Sequence, residues 1–553
     1  MKRFLIAAAL LLAAPAAAQP VATFPWFSYS GKDASDVVPV KPGEYRNPIL
    51  KGFYPDPSVT RVGNDFYLVT STFSWFPGIP VFHSRDLVHW TQIGNAIDRP
   101  DQLDFRRLAL SRGVFAPSIQ AKDGTFYLLN TCVDCGDNFL LTAKNPAGPW
   151  SDPVWLPDLK GGIDPSMFFD DDGRTWVVNN GPPEGKPLYD GHRAIWVQEF
   201  DRKTLKTFGP RKVLVNGGID LSKKPIWIEG PHIFKKDGWY YLSCAEGGTA
   251  EGHSQVILRS KSVTGPYVAW DGNPILTQRD LPRDRANPIT SAGHAQLVTT
   301  PDGKWWATFL AVRPYAGDFY TTGRETFLLP VTWKQGWPQI LPAATPIPWT
   351  YARPALPQGR APLPTSGAFT IRDDFRGKLP AYWMMLRNPR EAWYKTGATG
   401  LSLIARPVGL GESANPSFLA RRQQHTNAVA ETAVRFTPQK DGDRAGLAVF
   451  QNDYYWFFLG VRRVGGKDLL VVDQREGAAT PELGKTLFTA SAPAGPVRLR
   501  IAVHGRGYAF SYAAAGAKPA WKPLGTVETD SLTTKVAGGF VGSVFGLFAG
   551  RAE

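Results

Sequence analysis

The sequence predicts an all-β chain: a five-bladed β-propeller followed by a β-sandwich. Three observations lead there. A short element followed by a hairpin signal recurs five times between residues 45 and 340. The chain carries 55 glycines and 48 prolines and no long helical periodicity, as turn-rich β proteins do. Beyond a proline-rich stretch, alternating apolar and polar runs succeed one another, parted by Gly, Pro and Asp turns.

Residues 1–18 read as a signal peptide: Lys2 and Arg3, an apolar stretch over 4–14, then Ala16-Ala17-Ala18. That stretch is too short to span a bilayer, and no later segment is long enough. The expectation is export, to the periplasm or as a secreted protein, with no membrane partner. Residues 19–44 read as a poorly patterned lead-in. The formal charge of +14 is scattered without a run of basic residues, which describes a solvated basic surface and argues against nucleic acid.

The repeated element appears as Asp56-Pro57-Ser58, Ala116-Pro117-Ser118, Asp164-Pro165-Ser166, Glu229-Gly230-Pro231 and Gly293-His294-Ala295. Each copy leads to a tight turn (Gly63-Asn64-Asp65, Lys122-Asp123-Gly124, Asp171-Asp172-Gly173, Lys236-Asp237-Gly238, Pro301-Asp302-Gly303) and then a β-branched and aromatic run. Asp-Gly between apolar runs favours a hairpin because both residues accept positive φ at low cost. From Asp56, Ala116, Asp164, Glu229 and His294 to the first aromatic of the run the spacing is 10, 10, 12, 10 and 11 residues, and the elements recur at intervals of 60, 48, 65 and 65. A repeat of that size with several strands per unit suggests propeller blades over 45–340. The innermost strands of a propeller line its axis, so Asp56, Asp164 and Glu229 should converge there with Ala116 and His294.

Two carboxyls near one another, one protonated and one ionised, are what glycoside hydrolysis needs. Like charges held close raise at least one pKa, which keeps one member protonated near neutrality. The bland alternatives are a divalent-cation site and a plain Asp-Pro-Ser turn. Three aligned copies favour chemistry. Of the three cysteines, Cys132 and Cys135 lack the companions of a metal or redox motif, so a local disulfide or buried thiols are expected.

Eight prolines between Pro338 and Pro364 read as a semi-rigid linker over 341–366. From 367 to 553, runs at 428–436, 445–451, 454–464, 468–472, 497–503, 508–512 and 538–549 argue a β-sandwich. Such a domain often binds carbohydrate; packing on the propeller is the simpler reading.

The stretches RNPILKGFYPDPSV, STFSWFPGIPVFHSRDLVHW, GGIDPSMFFDDDGRTW, IEGPHIFKKDGWYYL, SAGHAQLV and TGRETFLLPVTW resemble glycoside hydrolase family 43, and FLARRQQH at 418–425 extends the likeness into the sandwich. The resemblance is to the branch of β-xylosidases and α-L-arabinofuranosidases whose C-terminal sandwich is a concanavalin-like jelly roll. It implies an inverting mechanism with Asp56 as general base, Glu229 as general acid, and Asp164 as the carboxylate that orients the acid and tunes its pKa. Inversion agrees with two carboxyls on different blades, since the pair must stand roughly 6.5–9.5 Å apart to admit a water. The resemblance also implies that His294 supports the site, directly or through water or a bound Ca2+, and that Arg324 contacts substrate hydroxyls. No cofactor is required; Ca2+ at the propeller axis is left open. Phe73, Trp75 and Phe115 would wall a sugar subsite, Phe115 standing where relatives often carry Trp. A sandwich Phe reaches the pocket mouth in relatives. The matching stretch 538–547 places Val544 at that position, with Phe540 and Phe545 beside it; either Phe could substitute, and Phe545 is counted among the expected substrate-binding residues. The expected activity is release of xylose from the non-reducing ends of xylooligosaccharides, with arabinofuranosidase action on arabinoxylan fragments as the alternative. A non-catalytic carbohydrate-binding propeller is the reading from another class.

Overall fold

The computed structural model describes residues 19–516 and 518–551, so the expected signal peptide lies outside the described residues. The chain is all-β, with two antiparallel regions packed together.

Five sheets follow one another in the order of the sequence repeats. Their first strands are Ser58–Val62, Ser118–Lys122, Ile163–Phe169, Glu229–Lys236 and Thr290–Thr299. Each pairs with the strand across its turn, and two further strands extend each sheet outward. The turn residues do what the sequence requires of them. Lys122 pairs with Thr125 around Asp123 and Gly124, whose φ angles are +51° and +69°. Lys236 pairs with Trp239 around Asp237 and Gly238, at +51° and +73°. Left-handed φ at both central residues matches the right-handed twist of the flanking strands.

Each first strand touches the first strand of the next sheet, and the fifth touches the first, so the five close into a ring. Side chains stitch it: Ser58 Oγ donates to Gln296 of the fifth sheet and accepts from the Ile119 N–H of the second. Apolar layers fill the wedges between sheets, as Val178, Ile195, Leu242 and Val256 do between the third and fourth.

The second region stacks a six-stranded sheet on an eight-stranded one. Leu447, Phe457, Leu459, Ile501 and Phe510 fill the space between them. Residues 19–44 are not a poorly patterned lead-in. Val21–Phe24 pairs with Gly400–Ile404, and Phe27–Gly31 lies inside the six-stranded sheet, between Phe369–Asp373 and Asn427–Val434. Phe24, Phe27 and Tyr29 are buried. Their alternation is real, but it runs for five residues beside Pro25, too short to stand out. The proline-rich stretch is tied down in part: Thr350–Ala352 pairs with Glu44–Arg46.

A buried ionic cluster joins the two regions. Lys51 Nζ lies 3.1 Å from Asp33 and 2.7 Å from Asp36, and Arg313 reaches Asp33 and Glu325, both at 2.5 Å. Asp33 also accepts the Thr426 N–H at 2.8 Å. Burial would raise the Asp33 pKa, but Arg313 and Lys51 outweigh it and hold the carboxyl well below the usual range. Asp33→Ala leaves Lys51 with Asp36 and Arg313 with Glu325 but takes the second carboxylate from each and the acceptor from the Thr426 N–H, and is expected to cost about 1–3 kcal/mol, read as a lowered midpoint in thermal or urea unfolding. Because the folded-state pKa is depressed, the wild-type contribution is complete above about pH 4 and fades as pH falls toward the folded value. The stability gap between wild type and variant should therefore narrow in acid.

Candidate active site

Counting from the turns, Ser58, Ser118, Ser166, His232 and Gln296 occupy matching places in the five first strands. Two residues earlier stand Asp56, Ala116, Asp164, Gly230 and His294. Four of these share a left-handed backbone, with φ of +54°, +54°, +55° and +52° for Asp56, Asp164, Gly230 and His294. Pairing slips just there in the third, fourth and fifth sheets. Such an irregularity re-aims a side chain, and left-handed φ at a non-glycine residue is strain of the kind found at functional sites.

This register corrects the sequence alignment of the repeats. Glu229 is not the counterpart of Asp56 and Asp164; Gly230 is, and Glu229 stands one residue before it. The counterpart of Phe66 and Phe126 in the fourth sheet is Tyr240, paired with Lys235, and not Trp239. Asp56, Asp164 and His294 adopt the same φ with side chains, so it is the neighbour that requires glycine at 230. A Cβ there would lie 2.8 Å from His294 Nε2. Gly230→Ala is expected to push His294 and Glu229 apart and lower kcat by about 100-fold, the usual cost of a 1 Å misplacement, with little change in the folded state by circular dichroism.

The three acids meet in one cavity of about 340 Å3, with His294 and Arg324 on its wall. Phe73, Phe115 and Phe540 form its aromatic side. Phe73 stacks on Phe540 at 6.0 Å between centroids and 25° between planes, and Phe115 meets each edge-on at 5.7 Å. Phe540 comes from the second region, and its N–H donates to Ser111 Oγ at 2.8 Å.

Two expected wall residues are elsewhere. Trp75 is fully buried and pairs with Leu386 at the edge of the eight-stranded sheet, against Phe53 and Phe450. Phe545 is fully buried in the sandwich core beside Tyr29. The strand Val544–Gly550 is covered on both faces: Val544 and Phe548 point to one apolar cluster, Phe545 and Leu547 to the other. The residue that reaches the pocket is Phe540, in the loop before that strand. Sequence reasoning missed Arg112, Ile163, Trp227 and Thr249, which also line the cavity. Arg112 makes a two-pronged ion pair with Asp134, at 2.7 and 3.0 Å. Asp134 sits in the loop closed by a Cys132–Cys135 disulfide, while Cys244 is a buried free thiol.

The acids differ in charge state. Burial would raise the Asp56 pKa, but Arg324, His294 and the Ser71 hydroxyl outweigh it and hold it below its ordinary value. Arg324 Nη1 lies 2.9 Å from Asp56 Oδ1, and His294 Nδ1 is 3.8 Å from the same oxygen. Glu229 is pushed well above the ordinary range, first by burial and then by the charges of Asp164 and Asp56. Asp164 is also raised, by burial and by Asp56, and accepts the Gly230 N–H at 3.1 Å. The pocket thus keeps Asp56 ionised and a proton on the Glu229–Asp164 pair.

A hard cation is a poor fit here. Ca2+ takes six to eight oxygens, whereas Asp56 is engaged by Arg324 and Ser71 and His294 offers nitrogen. Among the described residues, the group of three acidic or His ligand atoms within 4.8 Å is Asp33, Asp36 and His425, away from this cavity.

A model of glycosyl hydrolases family 43 matches residues 45–338, and one of the β-xylosidase C-terminal concanavalin A-like domain matches 372–553. A xylosidase/arabinosidase of Butyrivibrio fibrisolvens is 42% identical over 412 residues, 74% of this chain and 78% of its own. A non-reducing end α-L-arabinofuranosidase of Bacteroides ovatus is 37% identical over 91% of each chain. The crystal structure of a family 43 protein from a capybara gut metagenome superposes with a TM-score of 0.89 at 39% identity, covering 96% of this chain and 99% of that one.

Proposed function

The chain belongs to glycosyl hydrolases family 43, and from that premise we propose that it removes single pentose residues from non-reducing ends with inversion, xylose from xylooligosaccharides first. It is a glycoside hydrolase of the xylosidase and arabinofuranosidase kind. One observation carries the mechanism: a single cavity holds one carboxyl below its ordinary pKa and another above it. Asp56 takes a proton from water as the oxygen bonds to the anomeric carbon. Glu229 gives its proton to the glycosidic oxygen as that bond breaks. Solvent then restores the proton to Glu229 and removes the one on Asp56. Asp164 raises the affinity of Glu229 for its proton by like charge and fixes Gly230 behind it. Arg324 keeps Asp56 ionised and aimed. His294, wedged between Asp56 and Gly230, is a polar partner for the sugar, and no step runs through an ion.

The closed ring of inner strands supports reading the five sheets as five blades. Phe540, closing one side from the second region, supports attack on chain ends. The cavity is at the small end of ligand pockets, which span roughly 300–1,000 Å3. Export to an oxidising compartment fits the Cys132–Cys135 bond.

The deciding experiment is kcat/KM on 4-nitrophenyl β-D-xylopyranoside and α-L-arabinofuranoside. A higher value on the first is expected. The reverse order would make the chain an arabinofuranosidase, the second reading, which the Bacteroides relative favours. No turnover of either would return the non-catalytic propeller.

A further inference from the structure

A second cavity, about 520 Å3, adjoins the first and shares Trp227 with it. It is lined by residues of the 182–193 loop at the third sheet's rim and by Trp227. Leu188 is 69% exposed, Ile226 49% and Trp227 38%, so the rim carries an apolar patch beside the active pocket. Patches of that kind next to a site mark binding grooves more often than chance exposure does.

Trp227 is held with some strain. Its φ is +50°, rare for a bulky residue. Its N–H donates to the Gly191 carbonyl at 3.0 Å, and the Arg193 guanidinium lies 4.7 Å from the ring centroid. His192, buried in the wall of the same cavity, accepts the Leu188 N–H on Nδ1 at 3.1 Å and so fixes the loop that carries Leu188. Trp227 also stands two residues before Glu229. Both line the active cavity, which puts Trp227 on the wall that carries the proton donor.

Resting on the pentosidase reading above, we propose that Trp227 and the 182–193 loop form a binding site for the leaving part of the substrate, an unbranched pentose oligomer longer than a disaccharide. The aromatic face covers the C–H face of a sugar, Leu188 extends the apolar floor, and Asp190 offers carboxylate oxygens to hydroxyls. The pocket then holds the ring to be cut off, and the second cavity grips the chain it is cut from.

The test compares substrates by what lies beyond the cleaved bond. kcat/KM is measured on xylosyl fluoride, xylobiose and xylotetraose for wild type, Trp227→Ala, Trp227→Phe and Leu188→Asp. Wild type should rise about tenfold from xylobiose to xylotetraose. Leu188→Asp should abolish that rise. Trp227→Ala should lower the xylotetraose-to-fluoride ratio at least tenfold, and Trp227→Phe should restore most of it. A wild type indifferent to chain length overturns the proposal, as do variants whose ratios stay at the wild-type value. Wild-type failure on the fluoride and on both aryl glycosides overturns the pentosidase reading instead, so the two failures are distinct.

Discussion

Asp56→Asn is expected to lower kcat/KM by about 10³–10⁴-fold on every glycoside, whatever its leaving group. The substitution keeps one oxygen to accept from Arg324 Nη1, and its new NH2 group can donate to the Ser71 hydroxyl oxygen in place of the bond Ser71 donated, so the fold should survive. It removes the only carboxyl in the pocket held below its ordinary pKa, and with it the acceptor for the water proton. The loss should fall on kcat, with product binding little changed. Wild-type product followed by proton NMR should appear first as the inverted anomer. Retention would reject a direct displacement and make Asp56 a nucleophile.

Glu229→Gln should behave differently. Hydrolysis of xylobiose, whose leaving alcohol needs a proton, is expected to fall by about 10³–10⁴-fold, and hydrolysis of a dinitrophenyl glycoside by no more than about tenfold. The pH profile makes the same point. Asp56 works ionised and its pKa is depressed, so activity is lost as pH falls through that low value. Glu229 works protonated and its pKa is raised, so activity is lost as pH rises through that high value. Wild-type kcat/KM should therefore trace a broad bell, and Glu229→Gln should lose the alkaline limb while keeping the acid one. If the alkaline limb persists, another group is the acid, with Asp164 the first candidate.

Much of this was legible from residue types alone. Turn chemistry at Asp123-Gly124 and Asp237-Gly238 located the hairpins, and the acids at 56, 164 and 229 were found before any geometry. The errors share a cause. Composition reports which residues are near a strand, whereas register decides where they point. The slip ahead of His232 moves Glu229 by one place, and no residue type announces it. Trp75 looked like a sugar platform because it follows Phe73, yet strand pairing with Leu386 turns it into the sandwich. Phe545 lies in an apolar run buried on both faces, where alternation sends odd and even residues to different cores, so the pocket takes Phe540 from the loop. Trp227 had no motif; its backbone angle and the cavity it shares mark it.

The placement of Phe27–Gly31 inside the six-stranded sheet bears on biosynthesis. The ribosome delivers this strand among the first, but its neighbours Phe369–Asp373 and Asn427–Val434 emerge only after the whole catalytic ring. Until then it waits with both hydrogen-bonding edges open, a state that invites pairing with another nascent chain. The ring is thus made as an insertion within the sandwich, and neither piece is complete if the chain is divided in the proline-rich stretch. A fragment ending there would carry Phe24, Phe27 and Tyr29 without their partners. Expression of the catalytic ring by itself should begin after Gly31.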